Sequence, residues 1–353
     1  MTSYEAVLNQ INVLPTGAGG EDRDITWLSD AKVIGVARNS RGHLELFLAA
    51  DELRPQTGIV KTAMHYHSWH RDTLPPLNAN RICLPALGHF DQVGAFIAAE
   101  LLREKADANL ERAFAVTEPL IQLAIKRMEI SENAILGLFG ELLLLDALCR
   151  RAADHQVGPI VQAWDGWHRS ARDLTWEGTG IEVKTTTRTT SSHAIHGVHQ
   201  IEPAPASDEN TGEERLLLVS IGLCQTDLNT PALSIPSLVE SILNRLNATG
   251  ANGLIDEFLT RVSVYGAESG IGYEHTTMVT EAPFTTTFNV NFVRGYDMMD
   301  PAVEVLRRDD VVTHQHVDAQ SVTFRVELPA TISLNNPIVG TRRVVETILS
   351  PQS

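Results

Sequence analysis

The chain has 353 residues, 43% of them hydrophobic, and carries 44 acidic against 28 basic side chains, a formal net charge of -16. That composition is globular and long enough for two or three domains, and it excludes a free-standing nucleic-acid binder built on a broad basic face. Cys83, Cys149 and Cys224 lie too far apart for a disulfide framework or a metal spacing, which fits a reducing cytoplasm.

The first residues, Met1-Thr2-Ser3-Tyr4, lack the basic start and apolar run of a signal peptide. No segment approaches the roughly 18 apolar residues of a membrane span, so no membrane partner is expected. Residues 1–115 read as a β-rich region ending in helix. Within it, residues 31–37 and 43–48 have strand character around the turn Asn39-Ser40-Arg41-Gly42. Residues 60–67 read as another strand, with His65 and His67 on one face. Together with His70 they invite a zinc reading, but no cysteine completes a ligand set, and solvated strand histidines are commoner. From 90 to 128 the pattern turns helical, with Val93, Phe96, Ile97 and Leu101 at helical spacing.

Residues 131–145 predict a helix that starts at Ser131 as N-cap, with Glu132 complementing its positive end. From Ala134 to Leu145 nearly every residue is apolar, and Glu141 is the sole charge. A buried carboxylate is costly unless a cation or hydrogen-bond donors meet it. The alternative is a narrow solvent stripe shared by Glu141 and Asp146. Gly137 and Gly140 each cost a helix about 1 kcal/mol relative to alanine, which implies close packing against a neighbour.

The most informative stretch follows, Arg172-Asp173-Leu174-Thr175-Trp176-Glu177-Gly178-Thr179-Gly180-Ile181-Glu182-Val183-Lys184. It reads as a hairpin around the Glu-Gly-Thr-Gly turn. Alternation puts Glu182 and Lys184 on one face and Ile181 and Val183 on the other, and the hairpin brings Asp173 beside Glu182. Two carboxylates hold a hard cation through oxygen, and a neighbouring ammonium orients water or steadies developing charge. A solvated surface turn would use the same residues.

Beyond it, residues 185–192 with His193, His196 and Gln200 form a polar stretch containing Arg188. Hydroxyls and a guanidinium suit phosphate oxygens, although a threonine-rich strand and loop need no such role. Residues 204–214 predict an exposed loop, 215–221 a buried strand, 237–246 and 252–262 amphipathic helices, and 285–293 and 321–328 strands. No glycine-rich phosphate loop is present, so an intrinsic ATPase is not expected.

The Gly140-Glu141 helix, Asp173, the strand Glu182-Val183-Lys184-Thr185-Thr186 and the His-rich segment ending at Gln200 resemble a bacterial family of PD-(D/E)XK motif proteins. That family is encoded among restriction-modification and other phage-defence genes. The resemblance is strongest over residues 130–225. It implies an α/β fold with a restriction-endonuclease-like core, a mixed sheet with flanking helices, over residues 116–235. A β-rich N-terminal region and an α+β C-terminal region (236–353) would flank that core.

The same resemblance assigns metal ligation to Asp173 and Glu182, with Glu141 as the acidic residue of the preceding helix and Lys184 as the catalytic lysine. The implied ion is Mg2+, with Mn2+ substituting. Arg188, His196 and Gln200 stand near the site as possible substrate contacts. Arg172 occupies the place of the motif's proline. The expected function is metal-dependent endonuclease cleavage of DNA in anti-phage defence or restriction-modification. The alternatives are a catalytically silent nuclease-fold subunit acting in assembly or DNA binding, and an interaction protein unrelated to nucleases.

Locally, Arg169, Arg172, Lys184 and Arg188 balance Asp165, Asp173, Glu177 and Glu182. The acidity of the whole chain implies weak autonomous DNA binding. A protein partner such as a methyltransferase, helicase or ATPase would then deliver the substrate.

Overall fold

The computed structural model describes residues 3–350 apart from 18–21, 41, 71–74, 85–87, 169, 171, 207–211, 227–231, 268–270, 282 and 319–320. Arg41 of the first turn, Arg169 and the centre of the 204–214 loop therefore lie outside the described residues. Two compact units divide the chain, Met1–Glu132 and Asn133–Ser353.

The first unit contains α1 (Tyr4–Asn12), β1 (Thr26–Trp27), β2 (Ile34–Arg38), β3 (Leu44–Leu48), α2 (Gly58–Ala63), β4 (Met64–Trp69), β5 (Leu77–Leu84), α3 (Gly88–Arg103) and the start of α4 (Leu110–Arg151). Its strands form one antiparallel sheet in the order β1-β2-β3-β5-β4. The expected β2–β3 hairpin forms, with both strands buried along nearly their whole length, and Gly42 supplies the turn's positive φ of 80°.

Two expectations change in this unit. Residues 58–63 are helical, and only from Met64 does the chain extend, so the expected strand over 60–67 is shortened. His65 and His67 are exposed on β4, and no metal-holding group includes them among the described residues. Nor is Ser131 an N-cap, because it lies inside α4. The helix start is marked instead by Asn109, whose Oδ1 accepts from the Arg112 N–H at 3.0 Å. A Ser-Glu pair does not stop a helix that has already propagated through it.

In the second unit α4 is followed by α5 (Asp154–Gln162), β6 (Leu174–Trp176), β7 (Thr179–Thr186), β8 (Ser191–His196), a 3-10 turn (Val198–Ile201) and β9 (Arg215–Gln225). Then come α6 (Ile235–Ala248), α7 (Ile255–Val264), β10 (Phe288–Asp297), α8 (Arg308–Val312), β11 (Thr323–Leu328), β12 (Ile338–Val339) and α9 (Thr341–Leu349). A mixed sheet runs β12-β10-β9-β7-β6, with β7 and β9 parallel and the other neighbours antiparallel. Two strands from beyond residue 235 thus belong to the sheet that carries the motif.

β9 lies at the centre of this sheet and is buried from Leu216 to Leu223. Its alternation serves two layers. Leu216 and Leu218 join Ile195, Ile201, Tyr296, Val326 and Leu328 in a core beneath the antiparallel β8–β11 ribbon. On the opposite face, α4 packs on β7, where a Cβ on Gly140 would meet Thr185 Cγ2 at 2.1 Å. Among the described residues no helix is long and apolar enough to cross a membrane.

Candidate active site

The β6–β7 turn consists of two residues, Glu177 and Gly178, with φ of 45° and 76°. Positive φ at both positions is the geometry that matches the twist of a tight hairpin. Thr179 and Gly180 already belong to β7. The register pairs Leu174 with Ile181, so Asp173, one residue before β6, stands across from Glu182. Its Oδ2 accepts from the Val183 N–H at 2.6 Å.

On β7, Lys184 Nζ lies 2.8 Å from Glu182 Oε1, which confirms that the two share a face. Gln200 holds the lysine from the other side: its Oε1 accepts from Lys184 Nζ at 3.2 Å and from the His196 N–H at 2.9 Å.

Glu141 is buried at 6% exposure, and Asp146, its proposed companion on a solvent stripe, is buried at 4%. Asp146 pairs with Arg150 at 2.8 Å, so no such stripe exists. Glu141 instead meets hydrogen-bond donors. Trp164 Nε1 donates to Oε2 and Tyr265 OH to Oε1, each at 2.8 Å. Gly137 admits this tyrosine, since a Cβ there would lie 2.5 Å from the Tyr265 hydroxyl. Gly166 completes the cradle: a Cβ on it would fall 1.9 Å from Glu141 Oε2 and 3.2 Å from Asp173 Oδ1.

Burial pushes the Glu141 carboxyl up to about 7, against the pull of the Trp164 and Tyr265 hydrogen bonds, and the Glu182 charge adds to the rise. Asp173 is raised well above the usual carboxylate range, first by burial and then by the Glu141 and Glu182 charges. A crowded acidic group of this kind favours a cation.

The donors are hard oxygens, as Mg2+ or Mn2+ requires. Both Glu141 oxygens already accept a neutral donor, whereas Asp173 Oδ1 and Glu182 Oε2 have no hydrogen bond among the described contacts. Among the described residues no group of three His, Cys, Asp or Glu is arranged to hold an ion. The residues present fit the two-carboxylate mode, in which water and substrate complete the shell.

These groups line a cavity of about 530 Å3 that also receives Arg188, His196, Tyr265 and Arg325. Several parts of the polar stretch have other duties. Ser191 is fully buried and accepts from Tyr296 OH at 3.0 Å. His193 Nε2 lies 2.7 Å from Ser220 Oγ, and burial, with the Lys184 and Arg325 charges, pushes it down to about 4.

Arg172 does not add to the local positive field as expected. It is 4% exposed, pairs with Glu213 at 2.8 Å, and donates to the His199 and Glu202 carbonyls. The 204–214 loop is correspondingly not wholly exposed, for the Glu213 side chain is buried in this clamp. In place of the motif's proline stands a residue that ties the strand entry to the segment carrying Gln200.

Residues 89–291 match the family model described as "Putative PD-(D/E)XK family member, (DUF4420)". The chain belongs to this family. The DUF4420 segment contains Glu141, Asp173, Glu182, Lys184, Arg188, His196 and Gln200, and also Trp164 and Tyr265, whose roles no local motif announced. Arg325 lies outside it. No curated protein and no solved structure matches the chain.

Proposed function

We propose that this chain is a divalent-metal-dependent nuclease that hydrolyses phosphodiester bonds in DNA. The observation that carries this reading is the placement of Asp173 opposite Glu182 with Lys184 on the same strand face, 2.8 Å from Glu182. Asp173 and Glu182 would hold Mg2+, with Mn2+ as a substitute. When bound, the ion supplies Lewis-acid stabilisation of charge on the phosphoryl oxygens.

The chain's own groups do the positioning. Glu182 and Gln200 each occupy one donor of the Lys184 ammonium, leaving a third N–H for an attacking water or a phosphate oxygen. Tyr265 and Trp164 fix Glu141 beside Asp173 and keep its oxygens from rotating. A partly closed cavity strengthens these electrostatic contacts relative to water.

The setting we infer is bacterial defence against phage or restriction-modification. A methyltransferase, helicase or ATPase partner would bring DNA to a chain whose net charge of -16 repels it. The same charge favours a second reading, a nuclease-fold subunit that assembles with such partners without cutting.

One assay separates the two. Plasmid, linear and single-stranded DNA are incubated with the protein, alone and with neighbouring gene products, with and without Mg2+ or Mn2+. Metal-dependent cleavage that disappears in Asp173→Ala and Glu182→Ala supports the nuclease. Cleavage absent under all conditions, or unchanged in both variants, overturns it.

A further inference from the structure

The cavity is lined by groups of opposite charge: the carboxylates Glu141, Asp173 and Glu182, and the guanidiniums Arg188 and Arg325, the latter on β11 beside β8. The ladder pairs Arg325 with Ala194 and Val326 with His193. Alternation sends Val326 and Leu328 into the core with Ile195, so Arg325 projects from the opposite face, where it and Ala194 both line the cavity.

Arg325 has no carboxylate partner among the described residues. Its Nη1 donates only to Ser192, at 3.4 Å to the carbonyl and 3.3 Å to Oγ. Glu327 shares its face but lies against Ser192 Oγ at 3.5 Å. Arg188 contributes a backbone N–H to Thr186 Oγ1, and its guanidinium has no partner among the described residues. Elsewhere in the same unit Arg172, Arg215, Arg245 and Arg261 are each within 3.0 Å of a carboxylate. In a strongly acidic chain, the two arginines that reach this cavity keep their charge available.

We propose that Arg325 and Arg188 form a subsite for a backbone phosphate of the DNA strand in the cavity that Asp173 also lines. The inference rests on the nuclease reading for its ligand. It answers the charge conflict locally: a guanidinium forks onto phosphate oxygens, and two uncompensated ones offset the repulsion an acidic site imposes on the strand. Ser192, already bonded to Arg325, fixes the fork. Because Arg325 lies beyond residues 89–291, the subsite is completed by a part of the chain outside the family match. The competing role for Arg325 is a charge that protects an edge strand from pairing with another chain.

The test is fluorescence anisotropy with a labelled oligonucleotide, single-stranded and duplex, titrated in EDTA across a salt series so that cleavage plays no part. Arg325→Gln should bind about tenfold more weakly, with the slope of log K against log salt reduced by about one. Arg188→Gln should behave alike and Arg325→Lys should retain most of the slope. Arg343→Gln, an exposed arginine on α9, should change neither.

Equal affinity and slope in Arg325→Gln overturn the subsite and leave the nuclease reading intact, since that depends on Asp173, Glu182 and Lys184. So does a loss matched by Arg343→Gln, which marks a general charge effect, or aggregation with unchanged slope, which marks an edge guard. Wild-type protein that binds no oligonucleotide overturns the subsite too, and the metal-dependent cleavage assay then judges the nuclease separately.

Discussion

Gly140 and Thr185 touch so closely that the helix has no room for a single methyl: a Cβ on Gly140 would lie 2.1 Å from Thr185 Cγ2 and 3.6 Å from Val183 Cγ1. This contact seats the helix bearing Glu141 on the strand bearing Glu182 and Lys184. Alanine is the better helix former by about 1 kcal/mol, yet overpacking should dominate. Gly140→Ala is expected to destabilise the protein by about 1–3 kcal/mol in urea unfolding. The double variant Gly140→Ala with Thr185→Ser, which removes the offending methyl, should recover most of that loss. Simple additivity of the two changes would show that the contact is not the cause.

Neutralising one carboxylate of the acidic group should stabilise the metal-free protein. Because burial raises Asp173, folding favours its protonated form; the associated stability is present below the unfolded pKa and is lost as pH rises through the folded one. Asp173→Asn should therefore melt higher than wild type at neutral pH in EDTA. The gap should close as the pH falls toward the ordinary aspartate value. Added Mg2+ should raise the wild-type melting temperature and not that of the variant, a difference readable by calorimetry.

Lys184→Ala should lower kcat by roughly 10²- to 10³-fold, the range seen when a transition-state donor is removed. Lys184→Arg should recover only part, because a planar fork does not replace a compact ammonium. Gln200→Ala should have a smaller effect, about tenfold, by releasing the ammonium from the His196 backbone. Mg2+ affinity measured by titration calorimetry should hold in all three. A parallel loss of metal affinity would mark the Lys184–Glu182 contact as a structural ion pair only.

His193 supplies an acid-side prediction. Burial lowers it from 6.5 to about 4, so the unfolded chain binds the extra proton first. Its contribution is complete above pH 6.5 and drains away as pH falls through that interval, by at most about 3 kcal/mol. His193→Gln should flatten the stability curve between those values relative to wild type. Identical slopes in denaturant melts across that window would place the linkage elsewhere.

Arg172→Ala leaves Glu213 buried and unpaired, and strips the His199 and Glu202 carbonyls of their donor. A loss of about 3–5 kcal/mol is expected. Replacing both partners with apolar residues of similar size, Arg172→Met with Glu213→Leu, should cost clearly less. The measured quantity is the free energy of unfolding for the two variants side by side.

Much of the motif was legible because its information is local. A hairpin has a period of two and a turn that demands positive φ, so Asp173, Glu182 and Lys184 could be placed from thirteen consecutive residues of sequence. The lone Glu141 in an apolar helix was equally readable as a group in need of donors, and Gly137 and Gly140 as points of close approach. Local signals also misled: Ser131 looked like a cap and lies inside a longer helix, and Val60 looked like strand and is helical.

What the amino-acid order determined unaided was the strand, the faces of its residues and the chemistry those faces could support. The tertiary structure alone decided which partners meet them: Tyr265 on Glu141 across 124 positions, Glu213 on Arg172, and Arg325 brought to the cavity by pairing with β8. Side-chain periodicity is written in neighbouring residues, whereas the partner of a buried charge is chosen by where distant strands pack. A -16 total likewise fixes the long-range repulsion but not which guanidinium remains unpaired, because pairing depends on separations of a few ångströms that only the folded chain sets.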